Sequence, residues 1–129
     1  MVRAVIPINE INGEGDITFY DGCIVHPKVT ITAESGPIIF GKNCIIGENS
    51  TIIFKVPENL KSEERGVMKI GANTVIGNGC TIKSLKIGER NVIGCNCYIS
   101  EKVEIGNGCI ISSNTRLVES MKLNDNTIM

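Results

Sequence analysis

The segment Ile87-Gly-Glu-Arg-Asn-Val-Ile93-Gly-Cys-Asn-Cys-Tyr-Ile99-Ser-Glu-Lys-Val-Glu-Ile105-Gly-Asn-Gly-Cys-Ile-Ile111 returns an isoleucine at every sixth position. The rhythm continues through Leu117, Leu123 and Met129. It also appears upstream in three blocks: Phe19, Val25, Ile31; Phe40, Ile46, Ile52; and Ile70, Ile76, Ile82. All 17 of these positions are apolar, and Gly follows seven of them directly. A period of six is neither helical nor a plain strand alternation. It suits a short strand that ends in a sharp corner. The large apolar residue points inward, and the residue four positions later also points inward and must be small. Gly and Asn supply the bent backbone. One such unit buries almost nothing, so stability must come from stacking units into a continuous core.

Composition agrees. The 129 residues include 22 Ile but only three Ala and four Leu, with 14 Gly and 13 Asn. A β-branched residue dominates, helix formers are scarce, and turn formers abound, so the chain reads as all-β. Thirteen basic residues stand against 14 acidic ones, for a net charge of −1. Without a basic excess, and with no Trp, nucleic-acid binding is not expected. No apolar run approaches the roughly 20 residues of a membrane span. The start, Met-Val-Arg-Ala-Val-Ile-Pro7, lacks a signal peptide's long apolar region. The expectation is a soluble intracellular protein with no membrane insertion.

The repeat resembles the left-handed parallel β-helix of hexapeptide repeats. That resemblance implies three sides per coil of 18 residues, with Ile87, Ile105 and Leu123 stacked on one side. Residues 19–129 then make about five to six triangular coils, a prism roughly 25 Å long at about 4.8 Å per rung. The expectation is one domain over 1–129, with an irregular N-terminal lead-in over 1–16. The rhythm breaks at three places. Three extra residues fall around Ala33–Pro37, twelve between Ile52 and Ile70, and one is missing between Ile82 and Ile87. The polar, charged stretch 55–68 reads as an inserted corner loop.

Five of the six cysteines, Cys23, Cys44, Cys80, Cys97 and Cys109, fall in the small inward slot. Ser50, Thr74, Val29, Val103 and Thr115 fill the same slot elsewhere. They read as buried free thiols behaving as small hydrophobes. Cys23 should stack on Cys44, and Cys80 on Cys97. Cys95 belongs at a corner, and nothing completes a tetrahedral zinc set, so neither metal nor cofactor is expected. The one histidine, His26, follows the inward Val25 and should sit outside. It is the one catalytic candidate, for hexapeptide acyltransferase chemistry with His as general base or a diverged gamma-type carbonic-anhydrase-like site. The preferred reading has no catalytic residue.

The run Gly15-Asp-Ile-Thr-Phe-Tyr-Asp-Gly-Cys-Ile-Val-His-Pro-Lys-Val-Thr-Ile-Thr-Ala-Glu-Ser-Gly-Pro-Ile-Ile-Phe-Gly41 resembles the opening coils of the dynactin subunit 6 family. The restart at Met68-Lys-Ile-Gly-Ala-Asn and the shortened step before Lys86-Ile-Gly-Glu-Arg-Asn fit the same family. Two departures stand out: Gly13-Glu-Gly-Asp16 where the family has Arg-Gly-Asp, and an end at Met129 where the family continues into a helix. The resemblance implies a non-catalytic, cytoplasmic, cytoskeleton-associated scaffold. It would sit in the dynactin pointed-end complex beside a dynactin subunit 5-like β-helix and other pointed-end subunits, supporting dynein cargo binding and microtubule-based transport. A coil's last rung leaves backbone groups unpaired, and the apolar stack of Ile111, Leu117, Leu123 and Met129 should meet water there. Leu117, Leu123, Ile128 and Met129 are therefore the expected partner-binding residues, with self-association as the competing use of that end.

Overall fold

Three columns of inward isoleucines demand three sheets, and the computed structural model has three, each parallel and each of six strands. The structure describes residues 4–5, 10–13, 16–55 and 66–129. Sheet A contains β1 (Ala4–Val5), β4 (Cys23–Val25), β7 (Ile45–Ile46), β10 (Val75–Ile76), β13 (Val92–Ile93) and β16 (Ile110–Ile111). Sheet B contains β2 (Glu10–Gly13), β5 (Thr30–Ala33), β8 (Thr51–Phe54), β11 (Thr81–Ile82), β14 (Tyr98–Ile99) and β17 (Arg116–Leu117). Sheet C contains β3 (Ile17–Phe19), β6 (Ile38–Phe40), β9 (Met68–Ile70), β12 (Lys86–Ile87), β15 (Val103–Ile105) and β18 (Met121–Leu123). The chain visits A, B and C in turn, once per coil, as a left-handed β-helix of hexapeptide repeats.

Register follows the hydrophobic rhythm. Ile87 pairs with Ile70 and Ile105, and Ile105 pairs with Leu123. Ile52, Ile82, Ile99 and Leu117 form the matching column in sheet B. These inward residues are nearly all buried, and Phe19 and Phe40 stack with ring centroids 4.6 Å apart. The expected irregular lead-in over 1–16 holds two strands, β1 and β2, paired with β4 and β5. They escaped the sequence reading because Ile11, aligned with Ile31, precedes Phe19 by eight residues instead of six.

Corners are where the sequence reading needs correction. The seven glycines that follow inward residues do not adopt left-handed backbone. They are small because the next coil lies directly against them. A Cβ on Gly77 would come within 2.7 Å of Cys95 N, and one on Gly71 within 2.5 Å of Gly88 C. The left-handed residue comes two positions later. Asn43, Asn49, Asn73, Asn96, Asn114 and Asn126 have φ between 59° and 64°. Gly22, Gly79 and Gly108, with Lys28 and Arg90, fill the equivalent positions. Asn is among the residues that tolerate this conformation best.

The inward slot is not simply small. Cys23 Sγ donates to Gly41 O at 3.0 Å, Cys44 Sγ to Gly71 O at 3.1 Å, Cys80 Sγ to Gly94 O at 3.0 Å and Cys97 Sγ to Ser112 O at 3.1 Å. Ser50 Oγ and Thr74 Oγ1 donate in the same way to Gly77 O and Gly88 O. In the same slot the fully buried Asn91 donates from its amide to Gly106 O at 2.8 Å and accepts from Cys109 N at 2.7 Å. On two sides, then, most slot residues are small donors that satisfy a corner carbonyl of the next coil. On sheet C the slot holds the buried Val103 as expected, but also the large residues Ile38 and Met68, where the expectation of a small residue fails. That side is reached through the B-to-C edge, the irregular edge, where all three breaks in the rhythm fall. Where a residue is missing, Ser84 turns inward and donates to Val103 O at 2.6 Å.

Candidate interaction site

The thiols are where the repeat puts them. Cys23, Cys44, Cys80, Cys97 and Cys109 are buried and free, while Cys95 is half-buried at its corner. Burial, the largest influence, pushes the Cys44 and Cys80 thiols up to about 11 from an ordinary 9.0, against backbone hydrogen bonds that pull the other way. Such thiols are poor nucleophiles. Among the described residues, no group of three or more His, Cys, Asp or Glu is placed to hold a metal ion.

His26 lies at the exposed end of β4, and its backbone N–H donates to Ile46 O at 3.0 Å. It lines neither of two surface concavities along sheet C. The larger, about 370 Å³, is framed by Tyr20, Ile39, Lys42, Lys69 and Glu89. The smaller, about 220 Å³, is framed by Lys86, Glu104, Lys122 and Asp125. Neither concavity holds a Ser, Cys or His beside a base, the pairing that nucleophilic catalysis requires.

The last rung differs from its sequence-based picture. Leu117 and Leu123 face inward and are only 4% and 7% exposed, so they do not meet water as expected. The reason is geometric. Leu117 and Leu123 belong to the continuous inward core that runs up from the coils below, and Met129 does not join it. What remains accessible is Met129 at 41% and Ile128 at 74%. Residues 127–129 add to sheet A through Ile110 N to Thr127 O at 2.9 Å, Met129 N to Ile110 O at 2.9 Å and Ser112 N to Met129 O at 3.0 Å. β17 and β18 pair on one side only.

The three outer surfaces are unalike. Sheet C presents Lys69, Lys86, Glu104 and Lys122 in register. Sheet B presents Thr30, Thr51, Thr81, Tyr98 and Arg116. Lys83 Nζ and the Arg116 guanidinium lie 5.4 Å and 4.6 Å from the Tyr98 ring centroid. Sheet A presents only aliphatic side chains, a signal that the sequence reading of inward positions passed over.

Residues 85–118 match the family described as Bacterial transferase hexapeptide (six repeats). A dynactin subunit 6 of Danio rerio is 37% identical over 119 residues, covering 89% of this chain and 61% of its own length. A dynactin subunit 6 of Nematostella vectensis is 34% identical over 119 residues, covering 90% of this chain and 65% of its own length. By sequence, this chain is similar to dynactin subunit 6 over about 90% of its own length. It spans about three fifths of the length of the dynactin subunit 6 relatives it matches. A Bifunctional protein GlmU of Clostridium kluyveri is 29% identical over 141 residues, covering 88% of this chain but only 30% of its own. The dynactin subunit 6 resemblance extends across the irregular edge, whereas the hexapeptide match lies within the regular coils. No helix of the described residues is long and apolar enough to cross a membrane.

Proposed function

We propose that this β-helix works as a non-catalytic structural subunit of dynactin, within the pointed-end complex that supports dynein cargo binding and microtubule-based transport in the cytoplasm. The observation that carries the reading is the similarity to dynactin subunit 6 over about 90% of the chain. An exposed His26 outside both concavities supports it. In this reading a dynactin subunit 5-like β-helix and other pointed-end subunits meet the last described rung, where Ile128 and Met129 are accessible. Leu117 and Leu123 support that rung from below.

The test is affinity purification of the native protein with mass spectrometry of what accompanies it, repeated with Ile128→Asp/Met129→Asp. Dynactin subunits should co-purify with the wild type and be lost from the double variant, whose circular dichroism stays that of the wild type. His26→Ala should change neither, as for most surface substitutions. Absence of dynactin subunits from the wild-type preparation would sink the reading. An acyl-transfer activity abolished by His26→Ala would replace it with an enzymatic one.

A further inference from the structure

The outward column of sheet A is Ile24, Ile45, Val75, Val92, Ile110 and Ile128, held in register from rung to rung. No charged or polar side chain interrupts it. Ile24 is 37% exposed, Val92 45%, Ile110 46% and Ile128 74%, so four of the molecule's large exposed hydrophobic residues lie in this one line. A contiguous exposed apolar stripe marks an interaction surface. Val5 extends the same column by one backbone rung.

The order of residues along the stripe indicates what covers it. Read from either end, the six rungs from Ile24 to Ile128 run Ile, Ile, Val, Val, Ile, Ile. A two-fold axis between Val75 and Val92, running along the strand direction, would turn a second prism end for end. Ile24 then meets the second copy's Ile128, Ile45 meets its Ile110, and Val75 meets its Val92. A two-fold interface requires this kind of self-complementarity, in which the same patch serves both copies and each contact occurs twice. The rung spacing, about 4.8 Å, is identical in both copies by construction, so contacts stay in phase along the whole stripe. An α-helix, with a pitch of about 5.4 Å, would drift out of phase. At the centre, the residues leaving β10 and β13 are Gly77 and Gly94, which place no side chain at that edge of the face.

We propose that the outer face of sheet A is a homodimer interface, in which two copies pack antiparallel about an axis between Val75 and Val92. The face measures roughly 25 Å by 15 Å, which buries about 400 Å² per copy, about half of a standard specific interface. The dimer is therefore weak and depends on concentration. This proposal is independent of the dynactin assignment; its surface runs along sheet A and shares only Ile128 with the last rung.

Sedimentation equilibrium of the intact chain over a wide concentration range tests it. The wild type should shift from monomer to dimer as concentration rises. Ile45→Lys alone and Ile110→Asp alone should each stay monomeric at the highest concentration, with wild-type circular dichroism. The double variant should dimerise again, because the two new charges face each other across the axis. Within one chain they are three rungs apart and do not meet. A wild type that stays monomeric throughout overturns the proposal, including one that instead binds another β-helix protein through this face. So does a dimer indifferent to both single substitutions. Dimers lost in the single variants and not restored in the double variant overturn the antiparallel arrangement.

Discussion

Two edges of the prism are regular and the third is not. At the C-to-A and A-to-B edges, each corner carries one residue with left-handed backbone, three positions after the inward apolar residue. Next to it, the inward slot on most coils holds a small donor that satisfies a carbonyl of the coil above. At the B-to-C edge, every departure from the rhythm collects: Ala33–Pro37, the insertion between Ile52 and Ile70, and the shortened step before Lys86. Of the expected 55–68 loop, residues 56–65 lie outside the described residues, and its expected last residue, Met68, belongs instead to β9; Phe54 and Met68 are both buried. The difference teaches that the period of six is enforced by corner geometry and not by strand pairing. Strands alone would pair just as well with longer connections, and at the third edge they do.

The sharpest way to break this contrast is to fill a regular corner. Gly77→Ala puts a Cβ against the backbone of Cys95 and Gly94. It should lower stability by about 3 kcal/mol, since backbone cannot move aside as a side chain can. Chemical denaturation measures it, and a cost near zero would refute the close-approach reading.

A second test uses the buried thiols of the regular edges. The Cys44 and Cys80 thiols are pushed up to about 11, mainly by burial, so the folded state keeps protons that the unfolded chain releases above 9.0. Their contribution is fully present below pH 9 and is lost as pH rises towards 11. The loss should be about 2 kcal/mol between pH 9 and 10. Denaturation midpoints against pH should show this fall, and it should shrink in Cys44→Ser/Cys80→Ser.

A smaller effect, of opposite sign, sharpens the corner rule. Arg90 sits at φ 59° in a position where Asn or Gly is usual. Arg90→Gly should stabilise by about 1 kcal/mol, read as a raised melting temperature. The smallest effect belongs to the irregular edge. Inserting Gly-Ser after Glu101, in an exposed turn between β14 and β15, should cost less than about 1 kcal/mol. The same insertion after Asn96 should prevent native folding.

Much of this was legible before any coordinates. The spacing from Ile87 to Met129 predicts the inward columns, and the paired strands place Ile87, Ile105 and Leu123 in one line. The five slot cysteines are buried, as their register requires. The first coil was harder to see because Ile11 falls out of phase with Phe19. The candidate site was read less well. Leu117 and Leu123 were assigned correctly to the inner column, but their burial follows from the packed core beneath them, which the linear order does not show. The aliphatic stripe of sheet A was in plain view in the sequence, one residue before each inward position, yet nothing in the linear order says that Ile24, Ile45 and Val75 are neighbours across gaps of 21 and 30 residues.

The sequence by itself determined the strand repeat, the inside and outside of most strands after the first coil, and the place of the breaks in rhythm beyond Phe19, because hydrophobic periodicity is a local property written residue by residue. Only the tertiary structure decided why glycine follows the inward residue, why the slot cysteines serve as donors and not merely as small apolar groups, and which outward residues form a continuous surface. Those facts depend on distances between coils that are roughly 18 or more residues apart along the chain and about 4.8 Å apart in space. Such distances exist only once the prism has closed.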